Sequence, residues 1–595
     1  MIEVIGEFRH VRGALRGLQQ AASIVRLRVA PGPAPDLVLL ERVMQSLLDE
    51  AFPVADAPPA DPALHLVRRC VQWAIAAQRK CRIAVSERFD ALPSAREEPA
   101  GSAEFRVVLP YSRAAVASLA CVLEVVRRVA VDGAGAEADP ELRAGFEHGT
   151  ASLRAHAEQG LNTYFIVEAA YALDFPVQRE RNNLLVIGTG QRARWFNSTI
   201  TDRTSSIGVA TARDKRRTAE LLRRAGLPGG VHAQASSATE AVAVAGRLGY
   251  PVVVKPADRD QGLGVAADLR TPEHVTRAFE LARKESPNVL VEKHVDGFTH
   301  RLTVFQGRLV KAARRIAGGV VGDGVNTVER LLALSQQSPE VQRRLARARR
   351  APMTLDDEAL GMLAQVGLTP GSVPAPGVYV KLRRRDNINA GGTNEAVPLE
   401  RVHPDNRQLA ISAAGLLRLD FAGIDLIIGD VSKSWLEVDA LVCEVNAQPQ
   451  MGTADTPDIY RELLGEMFSA GARVPVCLAI SALDNRSPAE VMARAAQHCR
   501  VQTVAHADGL FVDGVRVSRA FPGGFDAGLA ALSRPQSRSV LFVMSPEEVL
   551  RDGLPVDRVD RLGVMVPEEM SIGVRRRLEP AVAAVHPNAG RVERW

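Results

Sequence analysis

The sequence predicts an α/β protein built from several domains. From about residue 161 onward, short runs rich in valine, isoleucine and leucine alternate with longer segments of helical periodicity. Before that point, helical patterns over residues 37–52, 62–81 and 114–131 accompany one alternating segment, 105–111, which indicates an α+β unit. With 595 residues, 46% of them hydrophobic, the chain is long enough for about three or four domains, each with its own core.

Bulk composition argues against a nucleic-acid-binding protein and against a membrane protein. The net charge of +5 arises from 74 basic and 69 acidic residues, an excess too small for this length to predict a basic groove. No apolar run approaches the ~20 residues of a membrane helix, and the N-terminal residues lack the apolar core of a signal peptide. The six cysteines form no Cys-x-x-Cys pair, which suits a reducing compartment better than a disulfide scaffold. We therefore expect a cytoplasmic protein whose partners include neither nucleic acid nor membrane.

After residue 161 the predicted elements alternate between helix and strand. Helices are predicted over residues 164–173 and 214–226, the second ended by a Gly-x-Pro sequence. Residues 326–349 predict a charged helical insertion, and the Pro/Gly-rich stretch 353–376 predicts loops. The predicted strands that matter for the site are residues 182–190, 251–256, 288–295, 421–428 and 441–445.

Polar residues on the last two of these strands predict a metal site. Asp425 lies within the predicted strand 421–428, and Glu444-Val445-Asn446 closes the next one. Two carboxylates and an amide oxygen on neighbouring strands are the hard oxygen ligands that Mg²⁺ prefers, and they leave room for substrate phosphates. A Glu-x-Asn sequence alone would equally suit a strand end capped by polar residues. Together, Asp425, Glu444 and Asn446 predict a magnesium site.

Lysine and glycine residues upstream predict a phosphate site. Lys255 ends the run PVVVKP, and Gly262 and Gly264 follow it in DRDQGLGV. Glycine tolerates positive φ and has no Cβ, so the backbone there can fold closely over phosphate groups. Lys215 starts the predicted helix 214–226 after a polar turn, although an ordinary surface lysine would give the same pattern.

This order of features resembles the ATP-grasp ligases. In that superfamily, too, Lys-Pro precedes a glycine loop and two spaced magnesium carboxylates. The resemblance implies ATP and Mg²⁺ as cofactors, with Lys215 and Lys255 reaching the α- and β-phosphates. It also implies that VEKHV is the hinge strand that meets adenine, and Thr299 stands where an acidic residue usually binds the ribose. The nucleotide-binding residues that the resemblance implies are Lys215, Lys255, Gly262, Gly264, Glu292, Lys293, His294, Val295 and Thr299.

Longer motifs resemble the cyanophycin synthetases, which build a polyaspartate backbone that carries arginine on its side chains. The similar stretches are ITDRTSSIGVATARDK, VEKHVDGFTHRLTVFQGRLVKAARRI with VGDGVNTV, RRRDNINAGGTNEAV, FAGIDLI and EVNAQP. The resemblance implies catalytic roles for Lys255 and for Arg301, whose guanidinium suits a planar acyl phosphate or carboxylate. The residues implied to shape the pocket for the growing chain end are Arg383, Asn387, Gly391, Gly392 and Thr393.

The C-terminal part resembles the family less closely. Full-length members end in a Mur-ligase-like half with a phosphate loop, where this chain has AISALDNRSPAEVM. Ala482 and Asn485 replace glycines and Arg486 replaces the lysine, so backbone N–H groups cannot easily converge on a phosphate. A genuinely different C-terminal domain is the alternative. The predicted domains are an α+β domain over residues 1–162, an ATP-grasp domain over 163–472 and a truncated, degenerate Mur-ligase-like α/β domain over 473–595.

One intact ATP site predicts one kind of bond. The resemblance is strongest to short-form members with a single working site, which polymerise preformed β-aspartyl-arginine. We expect a homo-oligomeric ATP-dependent acid–amino-acid ligase that joins β-aspartyl-arginine to a cyanophycin-like primer. Asn389, in place of the usual serine, leaves a related β-aspartyl dipeptide open. The alternatives are a ligase that adds a single amino acid such as aspartate, and a non-catalytic partner or regulator of a full-length cyanophycin synthetase.

Overall fold

The chain divides into two units in the computed structural model. One unit comprises Met1–Ser198 together with Gly452–Trp595, and the other is Thr199–Met451. No helix within the described residues is long and apolar enough to cross a bilayer. The described residues are 2–31, 36–50, 52, 61–94, 102–257, 264–338, 341–342, 345, 351–383, 392–452, 456, 458–483, 488–567 and 569–595.

The N-terminal part of the first unit is a four-stranded antiparallel sheet covered by helices, which agrees with the predicted α+β class, although the sequence predicts only one of these strands. Aspartates accept backbone hydrogen bonds at the starts of three of its helices, which accounts for where those helices begin. Trp73 and Phe105 are fully buried in its core. The strands are β1 (Ile2–Val11), β2 (Ala22–Val29), β3 (Asp90–Pro93) and β4 (Ala103–Pro110), in the order β1-β2-β4-β3, and the helices are α1 (Leu37–Leu48), α2 (Pro62–Lys80), α3 (Ala115–Asp132) and α4 (Pro140–Leu153).

A short helix-and-strand segment completes the N-terminal stretch of this unit. Asn162, near the start of its helix, donates to Ser198 and accepts from the Tyr460 hydroxyl, so the segment is tied to both parts of the unit. The strands pair antiparallel in sequence order. The elements are α5 (Leu161–Ala172), β5 (Val177–Arg179), β6 (Leu185–Ile187) and β7 (Arg194–Asn197).

The second unit contains two antiparallel sheets that carry the predicted site residues. The four-stranded sheet has the order β11-β10-β12-β9, and the five-stranded sheet has the order β17-β14-β13-β18-β19. The strands are β8 (Ile200–Thr201), β9 (His232–Ala235), β10 (Val252–Pro256), β11 (Ala266–Leu269), β12 (Val289–Lys293), β13 (Phe298–Phe305), β14 (Arg308–Ile316), β15 (Gly319–Val321), β16 (Tyr379–Lys381), β17 (Thr393–Ala396), β18 (Phe421–Ile428) and β19 (Ala440–Asn446). The helices are α6 (Ser206–Arg213), α7 (Lys215–Arg224), α8 (Ala238–Leu248), α9 (Pro272–Glu285), α10 (Val328–Gln337), α11 (Asp357–Gln365) and α12 (Pro404–Leu416).

Helix α11 lies where the sequence predicts loops. Proline and glycine are frequent around it, but within residues 357–365 they are limited to Gly361. The Asp356 side chain accepts from the Ala359 N–H and so caps the helix, and Ala359 and Leu363 are buried in a small core with β15 and β16. Tertiary packing of this short amphipathic segment outweighs the loop signal of its flanks.

The C-terminal part of the first unit is a seven-stranded α/β sheet in the order β23-β22-β21-β24-β20-β25-β26. Strand β20, inside this sheet, is parallel to both of its neighbours, β24 and β25. Residues 484–487 after it, including Asn485 and Arg486, lie outside the described residues. Cys477 and Cys499 form a disulfide, against our expectation from the scattered cysteines. The elements are α13 (Ile459–Met467), β20 (Val476–Ser481), α14 (Pro488–His498), β21 (Thr503–His506), β22 (Gly509–Val512), β23 (Val515–Arg516), α15 (Gly524–Ser533), β24 (Val540–Met544), α16 (Pro546–Asp552), β25 (Val559–Met565), α17 (Ile572–Val585) and β26 (Ala589–Arg594).

Candidate active site

One face of the five-stranded sheet gathers the charged residues predicted for metal and substrate. Arg301 on β13 is the direct partner of Asp425 on β18, and Asp425 is the direct partner of Glu444 on β19. Opposite residues of an antiparallel pair share a face, with Cβ atoms about 5 Å apart. The three side chains therefore form one row across the sheet.

The adjacent row contains the third predicted metal ligand, Asn446. It pairs with Gly423, and its Nδ2 atom donates to the Gly423 carbonyl oxygen at 3.3 Å. This bond orients the amide so that its oxygen is the atom suited to a cation. A Cβ at Gly423 would lie 3.0 Å from Arg301 Cδ, so the absence of a side chain there leaves space for the arginine.

Asp425 is held by two guanidinium groups. Arg301 Nε and Nη2 donate to its two carboxylate oxygens at 2.5 and 3.0 Å, and Arg315 Nη2 lies 3.2 Å from Oδ2. Burial lowers the pKa of Arg301, but attraction to Asp425, hydrogen bonding to it and the charge of Glu444 outweigh that effect, so the pKa lies above its ordinary value. Arg301 is therefore charged at any working pH, and its bidentate pairing fixes its orientation.

Arg315 is a site residue that the sequence did not single out. It lies on β14, where Ala313 is the direct partner of Arg301. Side chains alternate along a strand, so Arg315 shares the face of Ala313 and of the charged row. Alternation by itself groups Lys311, Ala313 and Arg315, but only pairing with β13 shows which face they occupy.

The four-stranded sheet brings the predicted phosphate lysine next to the predicted adenine-side glutamate. Lys255 Nζ forms an ion pair with Glu292 Oε2 between β10 and β12. Glu292 is buried, and a Cβ at Gly230 would overlap its carboxylate, so glycine is required there. Burial lowers the pKa of His232, the partner of Glu292 on β9, which leaves Lys255 as the group that balances the glutamate. If Lys255 bound a phosphate, the phosphate would therefore replace the Glu292 carboxylate as the anionic partner of the ammonium group.

The residues after Glu292 are attached to neighbouring backbone. Lys293 Nζ donates to two carbonyl oxygens of the loop before β10, at 2.9 and 3.1 Å. The backbone N–H groups of Lys293 and His294 also donate to protein carbonyl oxygens, each at 3.1 Å. Val295 follows β12, and Thr299 lies on β13 opposite Ile427. The Lys293 side chain thus anchors the hinge strand, and nucleotide contacts of these four residues stay a prediction.

Lys215 and Gly264 occupy positions compatible with their predicted roles. Lys215 is the first residue of α7, whose N-terminus is capped by Asp214. The partial positive charge of a helix N-terminus adds to the charge of that lysine. Gly264 has a φ of +70°, and a Cβ there would lie 3.0 Å from Pro256 Cγ. Gly262 lies outside the described residues.

Arg383, predicted to shape the substrate pocket, is buried and bonded to protein groups. Its Nη1 and Nη2 atoms donate to the two carboxylate oxygens of Asp356 at 3.0 and 2.9 Å, and Nη2 donates to the Thr354 carbonyl oxygen at 3.0 Å. Asp356 is the cap of α11. The arginine therefore joins the end of β16 to the start of that helix.

The remaining predicted substrate residues flank β17. Gly392 is buried, and Thr393 begins the strand and pairs with Ile316 on β14. The next pair in this ladder is Arg315 with Asn394, so the end of the predicted substrate loop is fixed beside the charged face. Asn387 and Gly391 lie outside the described residues.

The donor set on this face suits Mg²⁺ delivered with a nucleotide. Within the described ranges, no group of three or more His, Cys, Asp or Glu side chains is arranged to hold a metal ion. Asp425, Glu444 and Asn446 supply two carboxylates and an amide oxygen, a hard oxygen set. Mg²⁺ prefers octahedral oxygen coordination and commonly takes only one or two carboxylates, with phosphates and water completing the shell. The residues present fit that pattern.

Two family models match the sequence around this site. The Carbamoyl-phosphate synthase L chain, ATP binding domain, matches residues 214–303, and the RimK-like ATP-grasp domain matches residues 381–462. Together the matched ranges contain the predicted phosphate lysines, the hinge strand and all three predicted metal ligands.

Individual proteins are also similar to this chain. A cyanophycin synthetase of a Nostoc species is 29% identical over 412 residues, which cover 67% of this chain and 45% of that protein. A bifunctional glutathione biosynthesis protein of Streptococcus agalactiae is 31% identical over 234 residues, which cover 36% of this chain and 30% of that protein. The crystal structure of a bifunctional glutathione synthetase from Pasteurella multocida aligns with a TM-score of 0.42 and 24% identity, covering 60% of this chain and 52% of that one.

The alignments to the cyanophycin synthetases are long but partial. They take in two-thirds of this chain, and the chain spans about half the length of those relatives. The ATP-grasp models cover the strands on which the charged row and the Lys255–Glu292 pair lie. Over two-thirds of its length the chain is homologous to the cyanophycin synthetases, and the two domain models match the ranges that carry most of the predicted site residues.

Proposed function

We propose that this protein is an ATP- and Mg²⁺-dependent peptide ligase that joins β-aspartyl-arginine, or a related β-aspartyl dipeptide, to a cyanophycin-like primer. The observation that carries the proposal is the row of Arg301, Asp425 and Glu444, with Arg315 beside Asp425. ATP-driven ligation requires groups that neutralise phosphate charge and groups that hold a carboxylate. This row combines both kinds on one face, and the homology to synthetases supports the ligase class.

Each charged group has a task in this scheme. Lys215 and Lys255 bind phosphates of ATP. Asp425, Glu444 and Asn446 would hold Mg²⁺, which would supply positive charge to the transferred phosphate. Because Lys255 already pairs with Glu292, nucleotide binding replaces a carboxylate by a phosphate at the ammonium. The positive charges are thus present before ATP binds, which limits reorganisation in the reaction.

The two arginines hold the reacting carboxylate. A carboxylate oxygen at the chain end attacks the γ-phosphorus, ADP leaves, and an acyl phosphate forms. The α-amine of the incoming dipeptide then attacks the acyl carbon and loses a proton, the new C–N bond forms, and inorganic phosphate leaves with the electrons of the broken C–O bond. Arg301 and Arg315 stabilise the negative charge on the acyl phosphate, a planar, multidentate target that guanidinium groups suit.

The decisive test compares substrates. Phosphate release in the presence of ATP and Mg²⁺ is expected to require both a cyanophycin-like primer and β-aspartyl-arginine. If free aspartate and arginine served as well as the dipeptide, the proposal would be wrong. If aspartate alone were added, mass spectrometry would show an undecorated chain and would identify a single-amino-acid ligase.

A second candidate is a non-catalytic partner of a full-length cyanophycin synthetase. It is favoured by Thr299, which stands in place of an acidic residue on β13 and could not bind a ribose as strongly. This candidate predicts no ATP turnover with any dipeptide and co-purification with a full-length synthetase. We also propose that the ligase is cytoplasmic and that it is a homo-oligomer. Size-exclusion chromatography with light scattering of the purified chain tests the oligomeric state.

A further inference from the structure

Lys311 lies in the row of the sheet that also contains the metal ligand Asn446. It pairs with Thr303 on β13, Thr303 pairs with Gly423 on β18, and Gly423 pairs with Asn446 on β19. Opposite residues share a face, so the Lys311 side chain lies on the face of the metal carboxylates. The two rows are two residues apart along the strands, a distance of about 7 Å.

Residues 447–451, here called the strap, leave Asn446 and run back over this face. A Cβ at Gly423 would lie 3.0 Å from Pro449 Cβ, so the middle of the strap passes directly over that glycine. The Pro449 carbonyl oxygen also accepts from Thr199 Oγ1 at 3.2 Å. The strap is therefore in contact with the sheet at its centre.

The far end of the strap is attached to Lys311. Its Nζ atom donates to the Met451 carbonyl oxygen at 2.9 Å. Since Asn446 is on β19 and Lys311 on β14, the strap crosses three strand spacings, about 14 Å. An ammonium-to-carbonyl bond is charge-assisted and stronger than a neutral one, so it suits the task of fixing a crossing segment.

Burial along the strap alternates. Ala447, Pro449 and Met451 are buried, whereas Gln448 and Gln450 are exposed. One edge of the strap packs towards the protein, and the edge with Gln448 and Gln450 is exposed. A shift of the Met451 end would move this exposed edge relative to the metal carboxylates.

We propose that Lys311 is a positioning residue: it holds the strap at a set distance from the row of Asp425 and Glu444 and thereby sets the affinity for the peptide substrate. The substrate part of this inference rests on the proposed function. ATP affinity is expected to depend less on Lys311, because Lys255 lies on the other sheet and the metal ligand Asn446 stays bonded to the Gly423 carbonyl oxygen without Lys311.

The test uses the full chain with Lys311→Met, which keeps an unbranched apolar stem, and Lys311→Arg as the conservative variant. The control is Lys381→Met, at an exposed lysine on β16. Hydrogen exchange of the backbone N–H groups in the strap is expected to be at least ~10-fold faster in Lys311→Met, because a charge-assisted hydrogen bond is lost. The KM for the dipeptide is expected to rise about 10-fold while the KM for ATP stays within about twofold. In Lys311→Arg, the strap exchange rate and the KM for the dipeptide are expected to stay close to their wild-type values. Lys381→Met is expected to change neither quantity.

Unchanged strap exchange in Lys311→Met would overturn the positioning role, whatever the activity. Faster exchange with an unchanged KM for the dipeptide would overturn the link to substrate affinity. Equal increases in the KM values for ATP and dipeptide would mean a general structural role and would also count against the proposal. If the wild-type chain released no phosphate while exchange behaved as expected, the proposed function would fail and the positioning role would stand.

Discussion

At the scale of single residues, the charge of Glu444 is the most direct test of the metal assignment. Glu444 faces Asp425 across β18 and β19. Glu444→Gln keeps the shape and hydrogen-bonding capacity of the side chain but removes the charge that balances Mg²⁺. We expect turnover to fall at least ~100-fold, a barrier increase of roughly 2.7 kcal/mol, measured as steady-state phosphate release.

The control for this variant lies in the C-terminal part of the chain. Arg486 lies outside the described residues, and Arg486→Ala changes the segment that the sequence predicts to be a degenerate phosphate-binding motif. We expect turnover within about threefold of the wild type, because no phosphate binds there under the proposed function. An inactive Arg486→Ala together with an active Glu444→Gln would place the active site in the C-terminal part instead.

Gly423 tests how tightly the charged row is packed. A methyl group there would lie 3.0 Å from both Arg301 Cδ and Pro449 Cβ, so one of these groups must move. We expect Gly423→Ala to destabilise the fold by about 1–3 kcal/mol in denaturant unfolding, and to lower turnover because Arg301 is displaced. The control is Gly429→Ala, where a Cβ would meet nothing within 4 Å. Equal stability of the two variants would contradict the packing argument.

At the scale of elements, the pair of Arg383 and Asp356 joins β16 to α11. The Arg383 side chain is 9% exposed but that of Asp356 is 49% exposed, so screening limits the strength of the pair. We expect Arg383→Met to destabilise α11 by about 1–2 kcal/mol, seen as faster hydrogen exchange over residues 357–365. Asp356→Asn, which keeps a capping oxygen, is expected to have a smaller effect.

The Arg383→Met variant also distinguishes a role of Arg383 in holding α11 from a role in binding the peptide. If the arginine acts through α11, exchange in the helix and the KM for the dipeptide change together. If the arginine binds the peptide directly, the KM rises while exchange in α11 stays as in the wild type. The buried contacts with Asp356 and Thr354 favour the first outcome.

At the scale of the whole molecule, the first unit joins residues that are more than 500 positions apart. Gly13 N donates to the Asp552 carbonyl oxygen at 2.7 Å, and Asn588 Nδ2 donates to the Leu18 carbonyl oxygen at 3.0 Å. Between these bonds, Leu15 is buried in the core of the seven-stranded sheet. A segment of the N-terminal part therefore packs into the hydrophobic core of the C-terminal part.

Truncation of Leu15 measures the strength of that connection. We expect Leu15→Ala to lower the free energy of unfolding by about 2–5 kcal/mol, because a fully buried leucine leaves a cavity. Denaturant unfolding of the full chain gives the value. Leu436→Ala, at a leucine that is 67% exposed, is the control and is expected to change stability by less than about 0.5 kcal/mol. If Leu15→Ala changed stability as little as Leu436→Ala, the packing of Leu15 would contribute little to the free energy of unfolding.

Local sequence patterns predicted most elements near the site. Residues 421–428 were predicted as a strand and are β18, and the predicted strand 441–445 lies within β19. The helix predicted at 214–226 is α7, which begins one residue later and ends two residues earlier than predicted. These predictions succeed because hydrophobic alternation and helix-stop residues act over a few neighbouring positions. The motif order was also sufficient to predict the α/β class and the similarity to the ATP-grasp ligases.

Other features depended on partners distant in sequence. The sequence placed Arg383 at a substrate pocket, whereas the structure bonds it to Asp356, 27 residues earlier. The disulfide joins Cys477 and Cys499, which no local motif connects. A helix at 357–365 forms because its apolar side finds a core with β15 and β16, despite proline and glycine around it.

By itself, the sequence determined the fold class, the similarity to the ATP-grasp ligases and the identity of the charged residues, because local periodicity and motif order carry this information. Only the tertiary structure decided that Arg315 stands beside Asp425 and that Lys311 shares a face with Asn446. Alternation along a strand defines two sets of side chains but not which set faces the site. That choice is made by the register between β14, β13, β18 and β19, because a shift of one residue would turn every side chain to the opposite face.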